Sequence, residues 1–217
     1  MRSAQFRERL LERGGRAKVA LPAEAVDRIE AYYQLLTHWN KRINLSALPL
    51  ETMSDQAIDR VLIEPLVAAD VVPKGALRWW DLGSGGGSPA LPIKIVRAYA
   101  QLTLVEARSK KVAFLREAVR ELALQNVEVR DGRFEDIVGG VELYGTSDLV
   151  TVRAVRIDST LLALSRSVLK DGAALLLFAT QDASIPATVL FTIEKTINLI
   201  PGGRSELMVL KACDTRE

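Results

Sequence analysis

The run Asp81-Leu82-Gly83-Ser84-Gly85-Gly86-Gly87-Ser88-Pro89 constrains the fold more than any other part of the 217-residue chain. It follows a short apolar stretch, residues 77–82, and precedes one of helical spacing, residues 91–99. Glycines at a strand-to-helix turn let the backbone reverse sharply and let a ligand approach closely. Pro89 falls near the first helical turn, where a missing N–H costs nothing. The alternation then continues without the glycines: 102–105 and 110–124, then 127–129, then 148–152 and 161–169, then 173–178. Apolar runs of this length separated by helices predict a parallel sheet buried on both faces, hence a doubly wound α/β domain. Two last segments, 189–196 and 207–211, flank Pro201-Gly202-Gly203 and are predicted to pair antiparallel.

Ahead of Gly75 the texture is helical. Val26, Ile29, Tyr33, Leu36 and Ile43 keep one face from residue 23 to 43, with Pro22 suited to the first turn. A second helix is predicted from about Ser54 through Ile58, Val61 and Leu62, with Pro65 kinking or dividing it. These make a helical cap, residues 1–72. Pro73-Lys74-Gly75 marks the start of the α/β domain, residues 73–217. Arg2, Arg7, Arg9, Arg13, Arg16 and Lys18 crowd the N-terminus against Glu8 and Glu12. They read as a solvated helix face or as an arm lying on phosphates.

Composition removes whole classes. An apolar share of 48% excludes a disordered tail protein. No apolar run reaches the roughly 18 residues of a membrane span, and the N-terminus lacks a signal-peptide core. Cys213 is the one cysteine and His38 the one histidine, so neither a disulfide framework nor a zinc site is expected. A cytoplasmic protein without membrane or metal partners, acting as a monomer, is the expectation. A net charge of +2 neither requires nor excludes a nucleic acid.

Three classes of ligand use a glycine loop placed in this way. A dinucleotide fingerprint fails because Ser88 stands where the last glycine belongs, and no Gly-Lys-Ser/Thr completes a phosphate loop. Asp81 would repel a pyrophosphate but attract the sulfonium and ammonium of S-adenosylmethionine. Glu106, at the end of the second strand, can accept hydrogen bonds from both ribose hydroxyls, unless it is a surface carboxylate beside Arg108 and Lys110. Asp81, Gly83, Gly85 and Glu106 together point to a class I methyltransferase, Rossmann-like and mostly parallel, using S-adenosyl-L-methionine. Phe134, with Glu135, follows the third strand and either borders the adenine or belongs to the core. Arg153 follows the fourth strand at the ligand-binding edge. A buried cation there needs an anionic partner, either the cofactor carboxylate or the target nucleotide.

The chain resembles the bacterial small-subunit rRNA guanine-N7 methyltransferases, also called glucose-inhibited division protein B. Trp39-Asn40-Lys41 with Asn44-Leu45, the glycine loop and Leu104-Val105-Glu106 carry the first part of the resemblance. Lys110-Lys111, Phe114-Leu115, Asn126-Val127, Arg133-Phe134-Glu135, Arg153-Ala154 and residues 207–211 carry the rest. It implies methyl transfer to N7 of a guanine in the 530-region loop of 16S rRNA, on free rRNA or the 30S particle. By position it implies cofactor contacts at Gly83, Ser88, Phe134, Glu135 and Arg153. The chain departs from the family's pattern at several places. Val61 and Pro65 interrupt an Arg-His-x-x-Asp-Ser segment. Ser88 replaces Phe or Leu, Ala90 a glycine, and Thr180 a lysine.

Guanine N7 has a lone pair and no proton, so no general base or nucleophile is expected. Positioning alone would supply the rate. Trp39, Asn40, Lys41 and Arg42 offer a stacking plane, an amide and two cations to an RNA loop. Lys110 and Lys111 offer two more cations. Two rival readings remain at this point: a small-molecule or protein methyltransferase, and a module that binds S-adenosylmethionine without catalysis.

Overall fold

The computed structural model describes residues 3–75, 77–138 and 143–214. Its centre is a seven-stranded sheet in the order β3-β2-β1-β4-β5-β7-β6. The strands are β1 (Arg78–Leu82), β2 (Gln101–Glu106), β3 (Val127–Asp131), β4 (Ser147–Arg153), β5 (Leu169–Thr180), β6 (Phe191–Asn198) and β7 (Ser205–Ala212). The first five pair in parallel and β7 runs antiparallel to β6, as the sequence predicted, and β7 also runs antiparallel to β5. Leu82 lies opposite Val105 on β2 and Val152 on β4. The strand order therefore reverses between β1 and β4, and such a reversal opens a crevice at the carboxyl ends of the strands.

Alternation along β1 sends Trp79 into one core and Trp80 into the other. On the Trp79 face lie α5 (Ala90–Val96) and α6 (Ser109–Glu121), covered by α1 (Ser3–Arg16) and α2 (Ala23–Asn40). Phe6, Leu10, Ile29, Leu36, Ile58 and Leu62 share one apolar cluster there with Leu91, Phe114 and Leu176. On the Trp80 face lie α7 (Phe134–Val138) and α8 (Ser159–Val168). The α7 turn begins at Phe134, shortly after β3. Among the described residues no helix is long and apolar enough to cross a membrane.

Three local features differ from the sequence expectations. First, Arg7, Arg9 and Arg13 of α1 are not a free arm, whereas Arg16 is exposed and pairs with Glu12 of its own helix, and Arg2 lies outside the described residues. Arg7 bonds Glu30 at 2.6 Å and Asp27 at 2.8 Å, Arg9 bonds Asp55 at 2.5 Å, and Arg13 pairs with Asp59 and Asp55. Their charges fasten α1 to the rest of the cap. Second, α2 stops at Asn40 although the apolar period continues to Ile43. Asn40 Oδ1 accepts from the N–H groups of Leu45 and Ser46 at 2.9 Å, and its Nδ2 donates to the Ser46 carbonyl at 3.0 Å. The side chain thus closes the loop that the helix would have occupied. Third, Pro65 does not divide its helix. The segment runs on through α3 (Asp55–Ile58), a wide π-helical turn (Asp59–Ile63) and α4 (Glu64–Ala68). The wide turn accommodates a residue that has no N–H to give.

Candidate active site

The loop after β1 adopts left-handed backbone at Gly83 (φ +69°), Gly85 (+54°) and Gly87 (+83°). A Cβ at Gly83 would come within 2.8 Å of Val155 Cγ2. Any side chain there would be both strained and crowded. Glu106 is buried and clamps this loop. One of its oxygens accepts from the Gly85 N–H and the other from the Arg108 N–H, each at 2.9 Å. It is therefore not a free surface carboxylate. Each oxygen keeps a lone pair for another donor, as a vicinal diol would require.

Asp81 lies under the head of the loop and is 1% exposed. Its Oδ1 accepts from Thr151 Oγ1 at 2.5 Å, and that hydroxyl in turn accepts from Trp79 Nε1 at 2.9 Å. Its Oδ2 is buried without a hydrogen-bond partner. Burial pushes the carboxyl up to about 6, against the pull of Thr151, Ser84 and Arg153. A buried acceptor without a donor, beside a loop of left-handed backbone that favours glycine, fits a cationic ligand. Asp81, the glycines and Glu106 could hold S-adenosylmethionine on that chemistry.

Arg153 and Ser88 face a different set of partners. The Arg153 guanidinium forms a buried ion pair with Glu64 and lies 4.6 Å from the Phe178 ring centre. Its Nη1 donates to the Arg60 carbonyl at 2.7 Å and to Ser88 Oγ at 3.0 Å. Ser88 Oγ donates to the Val61 carbonyl at 3.0 Å. Burial lowers Arg153 to about 9, opposed by Glu64, and it stays cationic at neutral pH. The anionic partner that its burial demanded is thus a cap carboxylate within the protein itself.

A cleft of about 940 Å³ lies over the loop. Its walls are the 45–48 loop, the Asp59–Glu64 helix segment and the 201–205 turn between β6 and β7. Gly83, Gly85, Ser88, Arg153, Lys111 and Thr180 reach it, but Asp81, Glu106, Phe134 and Glu135 do not. Phe134 is buried edge-on to Trp80 at 6.2 Å, and Glu135 is exposed on the first turn of α7.

The residues read as an RNA platform are only partly available. Trp39 packs edge-on against Phe114 and donates its Nε1–H to Glu117 at 2.9 Å, and Asn40 is committed to its own loop. Lys41 pairs with Glu51 at 3.0 Å, while Arg42 and Lys110 are exposed. Arg60, Lys111 and Arg204 are cations on the cleft itself, Arg60 paired with Glu64 and Arg204 with Asp182. Sequence reasoning missed the site roles of Arg60, Arg204, Glu64 and Tyr32. The Tyr32 hydroxyl donates to the Gly86 carbonyl at 2.7 Å, and burial raises its pKa. In the sequence Tyr32 is only one of a helix's apolar positions.

Residues 25–189 match the family described as GidB, rRNA small subunit methyltransferase G. A curated relative of that description from Halorhodospira halophila is 37% identical over 160 residues, which is 73% of this chain and 71% of the relative. One from Neisseria gonorrhoeae is 40% identical over 148 residues, 68% of this chain and 67% of its own length. Solved structures of similar fold include a SAM dependent methyltransferase from Aquifex aeolicus (TM-score 0.57, 14% identity, 75% of this chain and 96% of that one). Another is MtNAS in complex with MTA and tNA (TM-score 0.59, 14% identity, 88% of this chain and 75% of that one). With sheet order, glycine loop and sequence in agreement, the chain belongs to the rRNA small subunit methyltransferase G family, the S-adenosylmethionine-dependent methyltransferases of small-subunit rRNA.

Proposed function

We propose that this enzyme methylates N7 of a guanine in the 530-region loop of 16S rRNA, as free rRNA or within the 30S particle, in the cytoplasm and as a monomer. One observation carries the choice of atom. Both carboxylates on the cleft wall are held by arginine, Asp59 by Arg13 and Glu64 by Arg153 and Arg60. Burial keeps the Tyr32 phenol neutral. Among the described residues the cleft lining holds no histidine and no unpaired carboxylate, which suits an acceptor that has no proton to lose.

When bound, S-adenosylmethionine supplies an electrophilic methyl group on a cationic sulfur. Asp81, Gly83, Gly85 and Glu106 hold the cofactor, with Phe134 and Glu135 at the neighbouring end of β3. The cap, residues 1–72, and the methyltransferase domain, residues 73–217, act as two jaws on the RNA. Lys41, Arg42, Lys110 and Lys111, joined by Arg60 and Arg204, face phosphates, while Trp39 and Asn40 keep the 41–48 wall in shape. Placing a lone pair in line with the reacting methyl is worth roughly 7–11 kcal/mol in well-oriented pairs. A base splayed from a loop offers that approach better than one inside a duplex.

The test is transfer of labelled methyl from S-adenosylmethionine to purified 16S rRNA and to 30S particles, followed by digestion to nucleosides. Label in N7-methylguanosine supports the proposal. Label on an exocyclic amine, or on a pyrimidine carbon, overturns the assigned atom.

A further inference from the structure

Two interruptions of regular hydrogen bonding meet at one point in the cap. In the wide turn the Glu64 N–H bonds the Asp59 carbonyl, five residues back. Pro65 then brings no N–H, either to Arg60, five residues before it, or to Val61, four before it. Both carbonyls take donors from the sheet side instead. Arg153 Nη1 serves Arg60 at 2.7 Å, and Ser88 Oγ serves Val61 at 3.0 Å. Arg153 Nη1 also reaches Ser88 Oγ at 3.0 Å, and Glu64 collects both Arg153 and Arg60, the latter at 3.1 Å.

The glycine loop is thereby held at both ends. Glu106 fixes the Gly85 N–H at 2.9 Å. On the other side Tyr32 fixes the Gly86 carbonyl at 2.7 Å, and a Cβ on Gly86 would stand 3.1 Å from Leu36 of the cap. Ser88 is the last attachment before α5.

We propose that Glu64, Pro65, Ser88 and Arg153 form a latch between the cap and the end of the glycine loop. Ser88 and Arg153 are positioning residues in it, not cofactor contacts. Pro65 brings Val61 no N–H from four residues on, and Ser88 supplies that carbonyl's donor. Glu64 holds Arg153 in the orientation that reaches both the Arg60 carbonyl and Ser88. The inference rests on the proposal that the glycine loop holds the cofactor.

A double-mutant cycle on the full-length protein tests it, read by calorimetric S-adenosylmethionine affinity and by thermal melting. Ser88→Ala should raise Kd about tenfold, the scale of one buried hydrogen bond. In a Pro65→Ala background, residue 65 regains one N–H, four residues after the Val61 carbonyl that Ser88 serves, and Ser88→Ala should then raise Kd by less than about threefold. Equal effects in the two backgrounds, or no effect of Ser88→Ala on Kd, overturn the latch. If Pro65→Ala does not fold, Glu64→Gln and Glu64→Asp decide. The latch requires Gln to weaken cofactor binding and Asp to restore most of it. A purely structural Glu64 would lower the melting temperature in Gln and leave the Kd of the folded protein unchanged. Gly85→Val, measured alongside, separates the two ideas. If it still binds cofactor normally, the loop reading fails rather than the latch.

Discussion

Replacing Asp81 by asparagine should stabilise the ligand-free protein while weakening its hold on the cofactor. Oδ2 of this carboxylate is buried with no donor, and burial lifts the group from 3.8 to about 6. Keeping a carboxyl lifted that far ionised at neutral pH costs roughly 3 kcal/mol, at about 1.36 kcal/mol per pH unit. The amide keeps an acceptor for Thr151 but sets an NH₂ where Oδ2 was. An unsatisfied donor there costs about 1 kcal/mol or more, leaving a net gain of about 1–2 kcal/mol. In a chain of this size that raises the melting temperature by roughly 2–8 °C. The sign follows from proton binding. The folded state holds the Asp81 proton more tightly than the unfolded state, so wild-type stability falls as pH rises from about 4 through 6. The advantage of asparagine is therefore full above about pH 7 and absent below about pH 4. Melts followed by circular dichroism from pH 4.5 to 8, with calorimetric cofactor titrations, provide the assay. A variant that melts below wild type at pH 7.5, or gains equally at every pH, refutes the reasoning about Oδ2. Unchanged cofactor affinity refutes its role in binding.

Other consequences are as direct. Glu106→Ala removes the acceptor for the Gly85 and Arg108 amides, and calorimetry should show cofactor binding weaker by about 1–3 kcal/mol. Trp39→Phe keeps the packing on Phe114 but loses the bond to Glu117, so chemical denaturation should show a loss of about 1 kcal/mol while RNA affinity stays within about twofold. If about four cations of the cleft and its rim meet phosphates, log K for RNA should fall with log salt at a slope of roughly −3, and Arg204→Ala should reduce that slope by about 0.7. A flat salt response would remove RNA phosphates from the account.

The sheet was legible because strands buried on both faces must be continuous apolar runs, and the crossover helices keep their own period. The place of Glu106 beside the glycine loop was legible because the second strand of such a sheet must end beside the loop of the first. What could not be read were pairings set by how the cap packs. The burial of Arg153 announced a need for an anion, but Glu64 lies 89 residues away in sequence and gives no local sign of meeting it. The α1 arginines look the same in a sequence whether water or Asp27, Glu30, Asp55 and Asp59 face them. The apolar period promised helix as far as Ile43, yet three hydrogen bonds from the Asn40 side chain ended it earlier. Tyr32 and Ser88 each act through a single hydroxyl, and no hydrophobic pattern records where a hydroxyl points.

The most direct test of the central claim is the methylation state of small-subunit rRNA from a strain lacking this protein. We expect N7-methylguanosine to be present in the 530-region loop of the parent, absent from the deletion strain, and restored by the wild-type chain but not by Gly85→Val. Full N7-methylation of that loop in the deletion strain would contradict the account.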